Sequence, residues 1–104
     1  MKPIKIAVPA ETELRAATAW YNDRDPRVAE RFANETRKTL DLIEEFPEIG
    51  GRVPDVDDNK VRRMPIHGFP YHIVFARLPD RTDVIAFAHN RRRTAYFLRR
   101  LRRS

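Results

Sequence analysis

The chain has 104 residues, 41% of them apolar, which fits one domain with a modest hydrophobic core. It contains no cysteine, which excludes disulfides and thiolate metal sites and favours a reducing compartment. No apolar run approaches the ~20 residues that a membrane-spanning helix needs, and the start of the chain lacks the apolar segment of a signal peptide. We therefore expect one soluble, cytoplasmic domain spanning residues 1–104.

The formal net charge of +6 is distributed unevenly along the chain. Residues 1–59 carry nine Lys or Arg and thirteen Asp or Glu, a balance of −4, whereas residues 60–104 carry twelve and two, a balance of +10. The basic half should present a positive surface that attracts an anionic partner. Nucleic acid, an acidic protein segment and anionic lipid all remain candidates at this point.

The first half of the chain predicts one strand followed by two helices. Apolar alternation marks a strand at residues 2–8, which Pro9 closes. Helical spacing of apolar residues then marks helices at residues 10–22 and 26–46. Asp25 suits the N-cap of the second helix, and Pro26 falls at its first position, where the missing N–H costs nothing. The two helices should form an αα-hairpin. The aromatic residues predicted to lie in the core are Trp20, Tyr21 and Phe32.

The second half predicts a loop and three strands. The loop, residues 47–59, is rich in glycine, proline and acidic residues. Period-two patterns predict strands at residues 60–66, 69–78 and 83–88, and the last two are apolar on both faces, which is typical of central strands. Residues 91–103 can continue as a basic helix.

The order β-α-α-β-β-β, with an optional final helix, predicts an α+β two-layer domain. In the simplest packing, the αα-hairpin covers one face of a small antiparallel sheet. We expect the other face to be partly open and to carry the basic residues.

Several classes of catalytic site are disfavoured by the residues present. The three histidines, His67, His72 and His89, have no metal-ligand spacing, and the basic half has only Asp80 and Asp83 as carboxylates, both at the predicted hairpin tip before the last strand. Ser104 is the only serine, and three glycines do not make a phosphate-binding loop. We therefore predict no metal and no cofactor.

A metal-free cationic site remains possible if the strands are neighbours. Arg62 and Arg63 lie on one predicted strand, Arg77 ends the next, and His89 with residues 91–93 follows the last. RNA cleavage needs proton transfer, which His89 or Tyr96 could perform, and cations that stabilise the phosphate. The alternatives are a structural histidine, a packing tyrosine and an arginine surface that docks a partner, and each of these is the commoner role.

Five segments, in chain order, carry a resemblance to a known family. They are Trp20-Tyr21, Phe46-Pro-Glu-Ile-Gly50, Val61-Arg62-Arg63, Phe69-Pro-Tyr-His-Ile-Val-Phe75 and Ile85-Ala-Phe-Ala-His89-Asn-Arg-Arg92. Together they resemble the RelE/ParE superfamily of toxins from type II toxin–antitoxin systems. The resemblance spans nearly the whole chain and implies the RelE-like fold. It also implies a cognate antitoxin, encoded next to the toxin, whose C-terminal segment wraps and masks the toxin in a hetero-oligomer. An acidic segment would suit the basic half.

The superfamily divides by target, and the resemblance leaves both branches open. ParE-like members inhibit DNA gyrase, whereas RelE-like members cut mRNA on the ribosome without a metal. In the nuclease branch Tyr96 matches the catalytic tyrosine, and Arg63 and Arg92 are possible matches for the catalytic arginines. His89 is added to this catalytic set as the other proton-transfer candidate. Asn90 stands where a nuclease is expected to have a basic residue, so the ParE-like branch is favoured. A basic module that binds nucleic acid directly is a third hypothesis. The arginines expected to bind a partner or target are Arg62, Arg77, Arg91, Arg93, Arg99 and Arg100.

Overall fold

The computed structural model describes residues 2–102 and shows two layers of helix and sheet. The elements, in chain order, are β1 (Ile4–Ile6), α1 (Val8–Arg24), α2 (Pro26–Glu45), β2 (Gly51–Arg52), β3 (Val61–Pro65), β4 (Tyr71–Arg77), β5 (Thr82–His89) and α3 (Ala95–Arg102). The predicted α+β architecture is confirmed, and the optional final helix is present. Residue 103, the predicted end of that helix, lies outside the described residues.

The sheet has five strands in the order β1-β5-β4-β3-β2. Neighbouring strands from β2 to β5 are antiparallel, whereas β1 runs parallel to β5 along Thr82–Val84. The sheet is therefore mixed and not wholly antiparallel as expected. The two helices connect β1 at one edge to β2 at the other, and the chain returns through β3 and β4 to β5 beside β1. This order places β5 and β4 at the centre, as their two-sided apolar patterns predicted.

The αα-hairpin turns at Asp25, as the sequence predicted. The Asp25 Oδ1 atom accepts a hydrogen bond of 3.0 Å from the backbone N–H of Arg27, and Pro26 occupies the first turn of α2. Helix α2 buries Ala29, Phe32 and Ile43, and the last two pack in one cluster with residues of the sheet.

Three sequence-based predictions about local structure are wrong. Pro9 does not close β1 but lies in the first turn of α1, where no intrahelical N–H is required. Trp20 is not a core residue: 52% of its surface is exposed, and the Arg24 guanidinium lies 3.5 Å from its ring centroid. Asp83 lies inside β5, paired with Lys5 and Ala76, and not at a hairpin tip.

The loop predicted at residues 47–59 contains the short strand β2. Gly50 precedes it with a φ of +99°, and a Cβ at this position would lie 2.7 Å from the Arg63 carbonyl oxygen. Only glycine lets the chain approach β3 this closely. Strand β2 itself could not be predicted from the sequence, because two residues are too few to show a periodic pattern.

Both faces of the sheet carry packed apolar residues. The hairpin face holds the larger cluster, which includes Phe32, Ile73 and Phe75. The opposite face holds a second cluster in which Phe97 of α3 packs with Val74 and Ile85. The second face was expected to be partly open, and α3 covers part of it. Helix α3 therefore lies where it can meet the end of β5.

Candidate partner-binding groove

A groove of about 480 Å³ lies between α1 and the last residues of β5, a volume within the usual range for ligand sites. We refer to it as the α1–β5 groove. It is lined by Glu13, Ala16, Ala17, Trp20, Tyr21, Pro70, Tyr71, Phe87, His89, Arg92 and Tyr96.

One wall of the groove is aromatic. The Tyr21 ring contacts Trp20 edge-on at a centroid distance of 5.2 Å, and Tyr71 lies 6.4 Å from Tyr21. The His89 ring in turn meets Tyr71 at 5.1 Å. These residues come together because α1 packs over β5, and β4 places Tyr71 directly opposite His89. A half-exposed tryptophan beside half-buried tyrosines is typical of an anchor for a protein partner.

The other end of the groove is polar. Glu13 of α1 forms an ion pair of 2.8 Å with Arg100 of α3, and the Arg92 guanidinium lies 3.9 Å from the Tyr96 ring centroid. Burial raises the pKa of the Tyr96 phenol, and its interaction with the Glu13 carboxylate raises that pKa further. The nearby guanidiniums of Arg100 and Arg92 act in the opposite direction but are weaker. Tyr96 is therefore protonated at physiological pH.

His89 has a structural contact at the end of β5. Its Nδ1 accepts a hydrogen bond of 3.1 Å from the backbone N–H of Arg91, and its carbonyl accepts one of 2.9 Å from Arg92. Both bonds shape the turn that leads from β5 towards α3. The imidazole therefore uses one ring nitrogen to fix the backbone, and its ring packs at 77° to the ring of Tyr71.

A second pocket, of about 440 Å³, contains Arg63, His72 and Asn90. It lies on the opposite face of the sheet from the α1–β5 groove, because consecutive residues of β4, Tyr71 and His72, point to opposite faces. His72 is buried, and its Nδ1 is 2.8 Å from Asn90 Oδ1. Burial lowers the pKa of His72, its hydrogen bond with Asn90 raises it by a smaller amount, and the charge of Arg63 lowers it further.

The residues proposed for a nuclease are divided between these two pockets. His89, Arg92 and Tyr96 line the α1–β5 groove, whereas Arg63 lines the second pocket. A single phosphate would have to contact both groups for them to act together.

The arginines expected to bind a partner also lie in several places. Arg91, Arg93 and Arg99 are exposed around the start of α3. Arg77 lies at the far end of β4, where it donates to the Asn59 carbonyl at 2.9 Å. Arg62 is half-buried, and its Nε has no hydrogen-bond partner among the described residues.

Arg100 differs from the other arginines because it is already paired with Glu13. The importance of Glu13 was missed from the sequence, where an acidic residue near the start of α1 indicates only a favourable interaction with the helix dipole. Trp20 was also missed as a surface contact: it flanks the apolar stripe of α1, and this position was interpreted as part of the core. Its position just outside that stripe was the one available signal.

Comparisons with known proteins agree with this fold. Residues 4–94 match the family described as ParE toxin of type II toxin-antitoxin system, parDE. A solved structure described as the chromosomal ParDE TA system from P. aeruginosa aligns with a TM-score of 0.73 and 16% identity, over 86% of this chain and 96% of that chain. At this identity the alignment shows a shared fold. No curated protein matches the chain. None of the described helices is long and apolar enough to cross a membrane.

Proposed function

Because the chain belongs to the ParE toxin family of type II toxin–antitoxin systems, we propose that it arrests growth by binding and inhibiting DNA gyrase. It is the toxin component of such a module, and an antitoxin is its partner. DNA gyrase acts in the cytoplasm. A chain that contains no cysteine forms no disulfides and therefore needs no oxidising compartment to fold.

The separation of the catalytic candidates is the observation that supports inhibition by binding over RNA cleavage. Tyr96, the residue matched to the nuclease tyrosine, has a raised pKa and faces Glu13 inside the α1–β5 groove. Arg63, which would stabilise a phosphate, lies in the second pocket. General acid–base catalysis needs its proton donor and its phosphate ligands around one reacting group.

The α1–β5 groove is the surface that we assign to the antitoxin. It offers an aromatic wall with the exposed Trp20, and Arg91 and Arg93 add positive charge beside it. An antitoxin segment with apolar and acidic side chains is complementary to both parts. Binding there would also cover Arg92, so one partner would mask the aromatic and the basic surface together.

Expression of the chain without its antitoxin tests this proposal. We expect growth arrest with induction of the DNA-damage response, because inhibited gyrase leaves cleaved DNA, and we expect rescue when the antitoxin is co-expressed. Growth arrest with intact DNA and transcripts cut within coding regions would instead identify the ribosome-dependent nuclease. Sequencing of transcript 5′ ends and detection of DNA breaks in the same cultures distinguish the two outcomes.

A further inference from the structure

A small basic pocket lies at the opposite end of β4 from the α1–β5 groove. It has a volume of about 300 Å³, and its lining includes the cations Lys2, Lys60 and Arg77. Tyr71, the first residue of β4, lines the α1–β5 groove, whereas Arg77 is the last residue of the same strand. The length of β4 therefore separates the two sites by about 20 Å.

The strand register places cations directly opposite one another beside this pocket. Arg52 of β2 pairs with Arg62 of β3, and the Arg77 N–H donates to the Lys60 carbonyl at 2.8 Å, which continues the register of β3 and β4. Residues paired across two strands share a face of the sheet, and so do Lys60 and Arg62, which are two residues apart. These four cations therefore lie side by side. Together with Lys2 we call them the basic edge cluster.

The charges of the basic edge cluster are held in place by uncharged groups. Lys2 Nζ donates to the Leu78 carbonyl at 3.0 Å. Arg77 Nη2 donates to the Asn59 carbonyl at 2.9 Å, and Arg52 Nη1 donates to Asn59 Oδ1 at 2.6 Å. Within residues 2–102, no member of the cluster forms an ion pair.

Acidic residues nearby offset the cluster only in part. Glu48 lines the pocket, and Asp57 and Asp58 come shortly before Lys60 in the chain. Asp58 Oδ1 accepts a hydrogen bond of 2.9 Å from the Lys60 backbone N–H and not from its ammonium group. Three carboxylates near five cations leave a net positive charge at this end of the sheet.

This arrangement costs free energy in the isolated chain. Like charges at directly opposite positions destabilise a sheet. The Nε atoms of Arg62 and Arg77 are also buried without a hydrogen-bond partner among the described residues, which adds a desolvation cost. An anionic partner offsets the repulsion, so the cluster is better explained by binding than by folding.

We propose that the basic edge cluster binds the phosphate backbone of duplex DNA. Lys60 and Arg62 are about 7 Å apart along β3, and their cross-strand neighbours widen this row of cations to match a run of phosphates. Among the described residues that line the pocket, none is aromatic. The cluster thus lacks the stacking platform of a single-strand binder and the anchor of a peptide site, and it contacts DNA without reading its sequence.

The DNA contact goes beyond the proposed inhibition of gyrase, because it belongs to the toxin itself. A toxin bound to gyrase would then also hold the DNA on which gyrase acts. The α1–β5 groove, assigned to the antitoxin, lies at the other end of β4. The test of the DNA contact uses no gyrase, so its failure would leave the proposed inhibition standing.

Binding of the purified toxin, free of antitoxin, to a short fluorescent DNA duplex at several salt concentrations tests the proposal. We expect Lys60→Gln to weaken binding roughly three- to tenfold and to reduce the slope of log Kd against log salt concentration by about one. Lys60 is exposed, so this change leaves the fold intact. Lys38→Gln is the matched control, because it removes the same charge from an exposed position on α2 and should change neither quantity. Equal effects of the two variants, or no binding at low salt, would overturn the proposal.

Chemical-shift mapping by NMR locates the DNA without any substitution. We expect the duplex to shift the amide signals of Arg52, Lys60 and Arg77. Shifts confined to residues 91–93 would place the DNA beside the α1–β5 groove and overturn the assignment. Polyglutamate is the competitor that separates phosphate from carboxylate recognition. Tighter binding of polyglutamate than of DNA, at equal charge concentration, would assign the cluster to an acidic protein segment instead.

Discussion

The carboxylate of Glu13 on α1 lies 2.8 Å from the guanidinium of Arg100 on α3, and this contact joins the two helices through residues that are 87 apart in the chain. Both side chains are mostly buried, with 20% and 23% of their surfaces exposed. Each also bonds a backbone group of β5. This pair therefore ties the last helix to the rest of the domain at the polar end of the α1–β5 groove.

The first prediction concerns this pair. Glu13→Gln should lower the free energy of unfolding by about 1–2 kcal/mol, because it leaves the Arg100 charge partly buried without a counter-ion. Chemical denaturation measures the change. Glu11→Gln, which removes an exposed i,i+4 pair on the same helix, should cost less than about 0.5 kcal/mol. Equal losses in the two variants would mean that the Glu13–Arg100 pair contributes no more than a surface ion pair.

The second prediction concerns His72, whose pKa is lowered by burial. The folded state favours neutral His72, so the unfolded state binds a proton more readily, and stability should fall as the pH drops below about 6.5. The fall should continue until the pH passes the lowered pKa of the folded state. Urea denaturation at about pH 7.5 and about pH 5, on either side of the ordinary histidine pKa, measures it.

His72→Gln should reduce this pH dependence, although the variant is less stable at every pH. His67→Gln is the control, because His67 is exposed in the turn before β4. If both variants keep the full pH dependence, another group is responsible for it.

The third prediction concerns Trp20 as an anchor for the antitoxin. Trp20→Ala should weaken binding by about 2 kcal/mol, a roughly 30-fold increase in Kd, because aromatic anchors contribute most of the energy at such interfaces. Calorimetric titration with the antitoxin measures it. Val8→Ala is the control, since Val8 is 76% exposed at the start of the same helix and lies outside the groove. An unchanged Kd for Trp20→Ala would place the antitoxin on another surface.

The fourth prediction concerns the Tyr96 hydroxyl. Its raised pKa keeps the phenol protonated, and an inhibitor of gyrase needs no proton transfer from it. Tyr96→Phe, which keeps the ring under the Arg92 guanidinium, should therefore remain toxic when expressed without antitoxin. Combination with His89→Ala extends the test to the second proton-transfer candidate. Loss of toxicity in a folded Tyr96→Phe protein would indicate that the hydroxyl performs chemistry.

The parts of the fold that the sequence predicted are those set by local pattern. Asp25 and Pro26 mark the helix junction by capping chemistry, and the two-sided apolar runs of β4 and β5 mark central strands. The parallel pairing of β1 with β5 was not predictable in the same way, because it depends on contacts between residues far apart in the chain.

The groove was harder to predict than the fold. Its basic and aromatic members, His89, Arg92 and Tyr96, were found because they follow an apolar strand. Glu13 was not, because its partners, Phe87 and Arg100, are 74 and 87 residues away. Helical periodicity also could not show that Trp20 faces solvent, since a residue beside an apolar stripe is compatible with burial or exposure.

Capture of the target most directly tests the central claim that this ParE-family toxin inhibits gyrase. Immobilised toxin, purified free of its antitoxin, is offered gyrase and ribosomes in parallel, and DNA supercoiling and mRNA cleavage are assayed with the same preparation. We predict that gyrase is retained and that supercoiling is inhibited, with mRNA left intact. Retention of ribosomes with cleaved mRNA, and gyrase that is neither bound nor inhibited, would contradict the claim.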